Sequence, residues 1–274
     1  MTTGSGLIDN HLELYFLDVG YGDSLLIRFP NGKAALVDGG GPEAGPEICA
    51  AIERLGLNRL DYLIITHFHK DHAGGLLPVL KNWISGGNGG EILLTHLPEA
   101  VPPEVEPVIA EIQNRSHRTI RRGIRLEPSP GVGIEILHPA NLSGEVNDDS
   151  LVIGIRHSAV RILLCGDIQL DGQRELMGHY KGGLRSDLVK IPHHAAEGLE
   201  EFVQSVNPKE AVLSIGPNRR GAPNSEVLAF YEKIGCRIHR TDKSGTIEMV
   251  SDSRTVRRAD GKAGAFGEVR RSIK

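Results

Sequence analysis

The chain has 274 residues, 39% of them hydrophobic and 24% charged, with a formal net charge of −4. These values describe an ordinary folded globular protein and argue against a disordered, collagen-like or strongly basic nucleic-acid-binding chain. No apolar run approaches the about 20 residues that a membrane-spanning helix needs, so no membrane insertion is expected.

Residues 1–10 read as a loose lead-in. Leu12–Val19 is a predicted strand, closed by the polar turn Gly20-Tyr21-Gly22-Asp23-Ser24. Leu25–Phe29 and Ala34–Val37 complete a meander around Pro30-Asn31-Gly32, a hairpin signal. The meander ends at Asp38 and three glycines. Residues 46–56 carry Ile48, Ala51, Ile52 and Leu55 at helical spacing, with Gly56 as a stop. Tyr62–Ile65 is short, β-branched and aromatic, and reads as a buried strand. It runs into Thr66-His67-Phe68-His69-Lys70-Asp71-His72-Ala73-Gly74-Gly75, and a helix is expected over 73–80, the two glycines allowing close backbone approach.

A glycine-rich loop is expected over 82–90, a strand over 91–95 and a helix near 108–114. Arg115, His117, Arg118, Arg121, Arg122 and Arg125 form a basic cluster, read either as a solvated face or as a rim toward phosphate. Ile134–Leu137 is a strand and Asn147-Asp148-Asp149-Ser150 a polar turn. Residues 151–156 and 161–165 form a hairpin ending at Gly166-Asp167. A helix over 173–179 and a strand over 188–191 lead to Pro192-His193-His194. Helices over 200–205 and 225–234, and strands over 211–215 and 246–250, finish the pattern. Both halves run meander, helix, strand and deliver His or Asp at strand ends, so residues 1–250 read as one domain of two similar halves packed sheet to sheet. Residues 251–274 are basic and glycine-rich, the expected partly ordered tail. Cys49, Cys165 and Cys236 are odd in number and never paired as C-x-x-C, which suits reduced thiols. The N-terminus lacks the basic start and apolar core of a secretory signal, so a cytoplasmic location is expected.

The chemistry concentrates at residues 67–72. Neutral imidazoles and a carboxylate are ligands for Zn²⁺, Mn²⁺ or Fe, and their density exceeds what one tetrahedral ion uses. On an extended loop His67 and His69 project to one side and can share an ion. Asp71 and His72, at the helix start, can serve a second, with Asp167 bridging and His193 completing it. Two ions about 3.5–4 Å apart yield a hydroxide nucleophile at neutral pH, without a serine or cysteine.

These residues resemble the metallo-β-lactamase superfamily, whose H-x-H-x-D-H is matched in full. The resemblance narrows to the ComEC competence-protein branch through Phe16–Ser24, Asn147–Val152, Leu164–Asp167, Leu188–His194 and Pro223 through Thr241–Gly245. It implies an α/β fold, a four-layer αββα sandwich of the metallo-β-lactamase type. It also implies two divalent metal ions, Zn or Mn, held by His67, His69, Asp71, His72, Asp167 and His193, with Asp38 ordering the loop. The implied reaction is attack of a metal-bound hydroxide on a phosphodiester. Asp71 would orient the nucleophile, and Lys190 or His194 would stabilise phosphoryl charge. DNA or RNA is the leading substrate. The rivals are a small-molecule phosphoesterase or ester, lactone or lactam hydrolase, and a binding module with a vestigial site.

Three departures from the family pattern stand out. The histidine many members carry before the second hairpin is absent, leaving Asn147 or Asp148 to face the first ion. Ala195 and Ala196 replace the usual Gly-Ser, and Tyr21 replaces a glutamine. ComEC proteins fuse this domain to membrane helices that form a DNA channel; this sequence carries no such helices.

Overall fold

The computed structural model describes residues 10–84 and 90–259. Readings made on 1–9, 85–89 and 260–274 lie outside them. Alternation of side chains along strands builds the layers. In Tyr62–Ile65, Ile64 enters one core while Leu63 and Ile65 enter another. In Val160–Leu164, Ile162 and Leu164 share the core of Ile64, whereas Leu163 enters a third. Strands buried on both faces need continuous apolar runs, which is why these segments lack an apolar–polar alternation.

The first half supplies β1 (Leu12–Phe16), β2 (Leu25–Arg28), β3 (Ala34–Val37), β4 (Tyr62–Ile65), β5 (Glu91–Leu94) and β6 (His117–Thr119). The second supplies β7 (Arg125–Ser129), β8 (Val132–His138), β9 (Val152–His157), β10 (Val160–Leu164), β11 (Leu188–Lys190), β12 (Glu210–Leu213) and β13 (Arg237–Arg240). The chain then returns through β14 (Ile247–Ser251) and β15 (Val256–Arg258) to the first sheet. The eight-stranded sheet has the order β15-β14-β1-β2-β3-β4-β5-β6, and the seven-stranded sheet β13-β12-β11-β10-β9-β8-β7. Each begins as an antiparallel meander and continues with parallel strands, β3 to β6 in one and β10 to β13 in the other.

Helices α1 (Gly45–Arg54), α2 (Lys70–Ala73), α3 (Leu76–Trp83) and α4 (Glu106–Gln113) belong to the first half, and Ile48, Ile52, Val79 and Ile112 from them share a core with Leu36 and Leu63. Helices α5 (Leu170–Tyr180), α6 (Glu200–Val206) and α7 (Ser225–Lys233) cover the second sheet, where Leu176, Phe202 and Tyr231 pack with Val189 and Leu213. Between the sheets lie Phe16, Ile27, Ile64, Ile136, Ile153 and Leu164. Helices, sheet, sheet and helices are thus the four layers of an αββα sandwich. Among the described residues no helix is long and apolar enough to cross a membrane.

Four strands escape the sequence reading: β6, β7, β13 and β15. The expected helix at Ala73 begins earlier, at Lys70, with His69 in extended backbone as its cap, and it breaks before resuming at Leu76. The break accommodates a close approach. A Cβ on Gly75 would stand 2.3 Å from the carbonyl oxygen of Gly39 and 2.8 Å from that of Gly41. The glycine loop after β3 is thereby held against the helix that follows β4.

Gly75 is not in the left-handed region, so its substitution tests packing alone. Gly75→Ala is expected to destabilise the fold by about 2 kcal/mol, the typical cost of overpacking. Gly41→Ala, where an added Cβ meets nothing within 4 Å, should stay within about 0.5 kcal/mol. Urea unfolding midpoints of the two variants provide the check, and equal midpoints would refute the packing argument.

Candidate metal centre

Parallel strands present their carboxyl ends at one edge, and both sheets place functional residues there. Asp38 follows β3, Thr66 and His67 follow β4, Asp167 follows β10, Lys190 ends β11 and Ser214 follows β12. The backbone joins the two halves at this edge, Leu151 N–H donating to Thr66 O at 3.1 Å, and within the first half Asp23 N–H donates to Asp71 O at 3.1 Å.

Asp38 orders the loop. Its carboxylate accepts from Thr66 N at 2.8 Å and Thr66 Oγ1 at 2.6 Å, and lies 2.9 Å from His72 Nδ1. With Nδ1 committed, the other nitrogen of His72, Nε2, faces Asp167 Oδ2 at 3.1 Å. Burial works against a charge on His72, yet Asp167 and Asp38 outweigh it and raise its pKa well above the usual imidazole range. Burial likewise opposes charge on Asp167, but His72 and His194 hold it well below the usual carboxylate range.

Four buried side chains converge: Asp71, His72, Asp167 and His194 each offer a ligand atom, all within 4.8 Å of one another. His194 Nε2 lies 3.4 Å from Asp167 Oδ2 and 3.8 Å from Asp71 Oδ2, its ring held by a contact of 2.9 Å from Nδ1 to Ser214 O. The histidine brought into this cluster is therefore His194, where the sequence reading expects His193. The reason is local: His193, His194 and Ala195 have consecutive left-handed φ values of 46°, 51° and 59°. That turn reverses the two rings, so His193 faces Glu197 Oε1 at 3.4 Å and Asn147 Nδ2 at 3.4 Å. Such backbone costs on the order of 1–2 kcal/mol per residue for an L-amino acid, and the hydrogen bond from His193 N to Gly166 O helps hold it.

His67 and His69 approach each other beside this cluster, Nε2 of one 3.2 Å from Nδ1 of the other. The opposite nitrogen of His67 lies 3.1 Å from Thr66 Oγ1 and 3.2 Å from Ser150 Oγ, which fixes the ring. Burial, with His72 and His69 nearby, pushes the pKa of His67 well down, and burial also lowers that of His69. Both are thus neutral, as ligands must be. Asn147 reaches His69, and its Oδ1 is buried without a hydrogen-bond partner. Asp148 points elsewhere: its Oδ1 accepts from Gln169 N at 2.7 Å and Gly172 N at 3.0 Å, capping α5.

Lys190 also departs from expectation. It is 4% exposed, ion-paired with Asp23, donates to Gly166 O at 3.1 Å and stands 3.6 Å from Asp167 Oδ1. Burial would lower its pKa, but Asp23 and Asp167 raise it instead. An ammonium so occupied cannot also face a phosphoryl oxygen in the cleft; it neutralises carboxylates from beneath. Asp23, quoted in the sequence only as part of a turn, is the missed member. The alternation in β11 is the signal for it, since Lys190 shares a face with Leu188, which lies between the sheets.

The donor set fits divalent cations. Asp71 Oδ1, Asp167 Oδ1 and His194 Nε2 are buried without hydrogen-bond partners, an arrangement costly unless a cation receives them. In a second grouping, Asp23, Asp38 and His72, Lys190 pairs with Asp23 and Thr66 donates to Asp38, while Asp23 Oδ1 has no hydrogen-bond partner. The basic cluster is spent largely on acidic partners: Arg115 on Glu111, Arg118 on Glu91, Arg122 on Glu175 and Arg125 on Glu135.

Comparison with known proteins agrees with this architecture. The family model of the metallo-beta-lactamase superfamily matches residues 17–216. ComE operon protein 3 of Bacillus subtilis (strain 168) is 28% identical over 268 residues, covering 86% of this chain and 32% of that protein. Recombination protein 2 of Haemophilus influenzae is 27% identical over 244 residues, covering 85% and 28%. The chain thus spans less than a third of the length of these curated relatives. A solved diphosphatase of the PhnP family shares the fold with a TM-score of 0.50 at 14% identity, covering 86% of this chain and 96% of its own. With the family model spanning most of the sandwich and the H-x-H-x-D-H residues gathered at its edge, the chain belongs to the metallo-β-lactamase superfamily.

Proposed function

We propose that the chain is a metal-dependent phosphodiesterase acting on DNA or RNA in the cytoplasm. The observation that carries the reading is the buried group Asp71, His72, Asp167 and His194 with its unsatisfied ligand atoms. His67, His69 and Asn147 Oδ1 would hold one Zn²⁺ or Mn²⁺ ion, Asp71, His72 and His194 a second, and Asp167 would bridge. Bound there, such ions supply Lewis acidity toward a phosphoryl oxygen and a water activated at neutral pH.

The chain's own side chains do the rest. Asp71, with one carboxylate oxygen toward an ion, would use the other to accept a hydrogen bond from the attacking water and orient it. Asp38 fixes the tautomer of His72, leaving Nε2 toward the cluster. Lys190 pairs with Asp23 and places its ammonium 3.6 Å from Asp167 Oδ1. No side-chain nucleophile competes: Cys165 is buried, with its thiol pushed up to about 12 by burial, and Ser150 Oγ is committed to His67 and to the N–H of Asp167. Nucleic acid as substrate is supported by relatives named for competence and recombination. A small phosphate ester is the second reading, favoured because the basic cluster is tied up in ion pairs rather than arrayed for a polyanion.

Metal analysis joined to hydrolysis assays tests the proposal. The Mn²⁺- or Zn²⁺-loaded chain is expected to cleave single- or double-stranded oligonucleotides; turnover of bis(4-nitrophenyl) phosphate alone would select the small-ester reading. Absence of activity toward both would refute it. Asp167→Ala and His194→Ala should each lose bound metal and at least about 100-fold in turnover. His193→Ala should retain metal, and the reverse ranking of the two histidines would overturn the assignment of His194.

Proton competition gives an independent check. The pKa of His72 is raised, so the stability from its ion pairs is fully present below its ordinary value of 6.5 and fades as pH rises through the raised value. Asp167 is lowered, so its contribution is present above its ordinary 3.8 and lost as pH falls through the depressed value. A cation must displace the His72 proton, so metal affinity should increase as pH rises, by about tenfold per pH unit per proton released. Calorimetry in two buffers of different ionisation enthalpy measures that release; none at neutral pH would contradict the pairing of His72.

A further inference from the structure

One wall of the cleft carries a stack that the metal cluster does not use. The ring of Tyr21 lies against that of His194, centroids 4.5 Å apart, and Arg220 Cζ sits over the Tyr21 ring at 5.4 Å from its centroid. The arginine is exposed, and among the described residues its guanidinium has no carboxylate partner. It stands on a built loop: Asn218 Nδ2 donates to Gly216 O at 3.0 Å and Ala222 O at 2.8 Å, while its Oδ1 accepts from Arg220 N at 3.0 Å. The loop is seated on the turn that bears Tyr21, since a Cβ on Gly216 would stand 2.4 Å from the carbonyl carbon of Gly20. The hydroxyl of Tyr21 is buried and has no hydrogen-bond partner.

From this arrangement we infer that Arg220 and Tyr21 form an anion subsite for the phosphate next to the scissile one in an oligonucleotide. A guanidinium held over an aromatic face is pre-oriented, so its N–H donors remain free for a bidentate grip on phosphate oxygens. Contacts of 4.5 Å and 5.4 Å link His194 through Tyr21 to Arg220, which puts Arg220 within reach of a phosphate flanking the scissile one. The Arg220 guanidinium already covers part of the Tyr21 ring, which leaves less of it for a stacked nucleobase and favours phosphate over base. The unsatisfied hydroxyl supplies one more donor.

The subsite rests on the phosphodiesterase reading but is tested by binding, which needs no turnover. The probe is 5′-phosphorylated thymidine dinucleotide on the full, Mn²⁺-loaded chain, measured by calorimetry, with Arg161→Ala as a control for loss of one exposed positive charge. Arg220→Ala should weaken binding about tenfold and Tyr21→Phe, which keeps the ring, about threefold, with Arg220→Lys between wild type and Arg220→Ala. Arg161→Ala should change it less than about twofold. For turnover, Arg220→Ala should raise KM for the dinucleotide at least about fivefold more than for bis(4-nitrophenyl) phosphate, which has no flanking phosphate. Wild-type protein that does not bind the dinucleotide, equal weakening by Arg161→Ala, or no weakening by Arg220→Ala would each overturn the subsite. Binding lost with Arg220 but no diester hydrolysed by wild type would sink the phosphodiesterase reading and leave the subsite standing.

Discussion

Burying carboxylates is the constraint around which this molecule is arranged. Asp23, Asp38, Asp71 and Asp167 are all under a tenth exposed and share one edge of the sandwich. An isolated buried carboxylate is prohibitively costly unless it is paired, hydrogen-bonded or protonated. Asp38 is satisfied by Thr66 and His72, Asp23 by Lys190, and Asp167 by His72 and His194. Asp71 has no comparably close partner, its nearest basic nitrogen being His194 Nε2 at 3.8 Å. The uncompensated charge is therefore concentrated on Asp71, where a divalent cation would relieve it most. Stability and ligand binding are the same question at this edge.

That network also explains why two halves make one domain. Each half supplies both signs, and the pairs cross between them: His72 of the first half meets Asp167 of the second, and Lys190 of the second meets Asp23 of the first. Truncating one member of such a buried pair typically costs about 3–5 kcal/mol, because its partner is left charged and desolvated. The sheet-to-sheet core holds the two halves face to face, while the charge network fixes their register at the edge that matters for chemistry.

Most of the architecture was legible because the inner strands are buried on both faces and read as unbroken apolar runs. The four missed strands, β6, β7, β13 and β15, are the four sheet edges. Edge strands are short and charged for a physical reason, since a flat apolar edge would recruit other chains. His117–Thr119 and Arg237–Arg240 therefore look like loops to any periodicity argument. The residues at 67–72 were legible as a ligand cluster because six consecutive positions hold its chemistry. The exchange of His193 for His194 was not, because it depends on three successive left-handed residues, and nothing in the side chains of His, His and Ala demands that conformation. Of the two alternatives at the polar turn, Asn147 reaches His69, whereas Asp148 accepts from Gln169 N, 21 residues further on, and only the packing of α5 against that turn decides between them.

The departures from the family pattern gather on one side of the cleft. Tyr21 packs on His194, Ala195 continues the left-handed turn that aims it, and Asn147 reaches both His69 and His193. The opposite wall, His67 through His72, matches the superfamily motif in full, and Asp38 and Thr66 brace it. The turns at 20–23 and 192–196 and the loop at 216–223 pack on one another, and the first of them also reaches the motif loop, Asp23 N–H donating to Asp71 O. Gly216 against Gly20, and Asn224 N–H donating to Ala195 O at 2.8 Å, make those three segments one packed unit. On the proposed function, substrate selection would be a property of that unit, and His194 the residue through which it meets the candidate metal group.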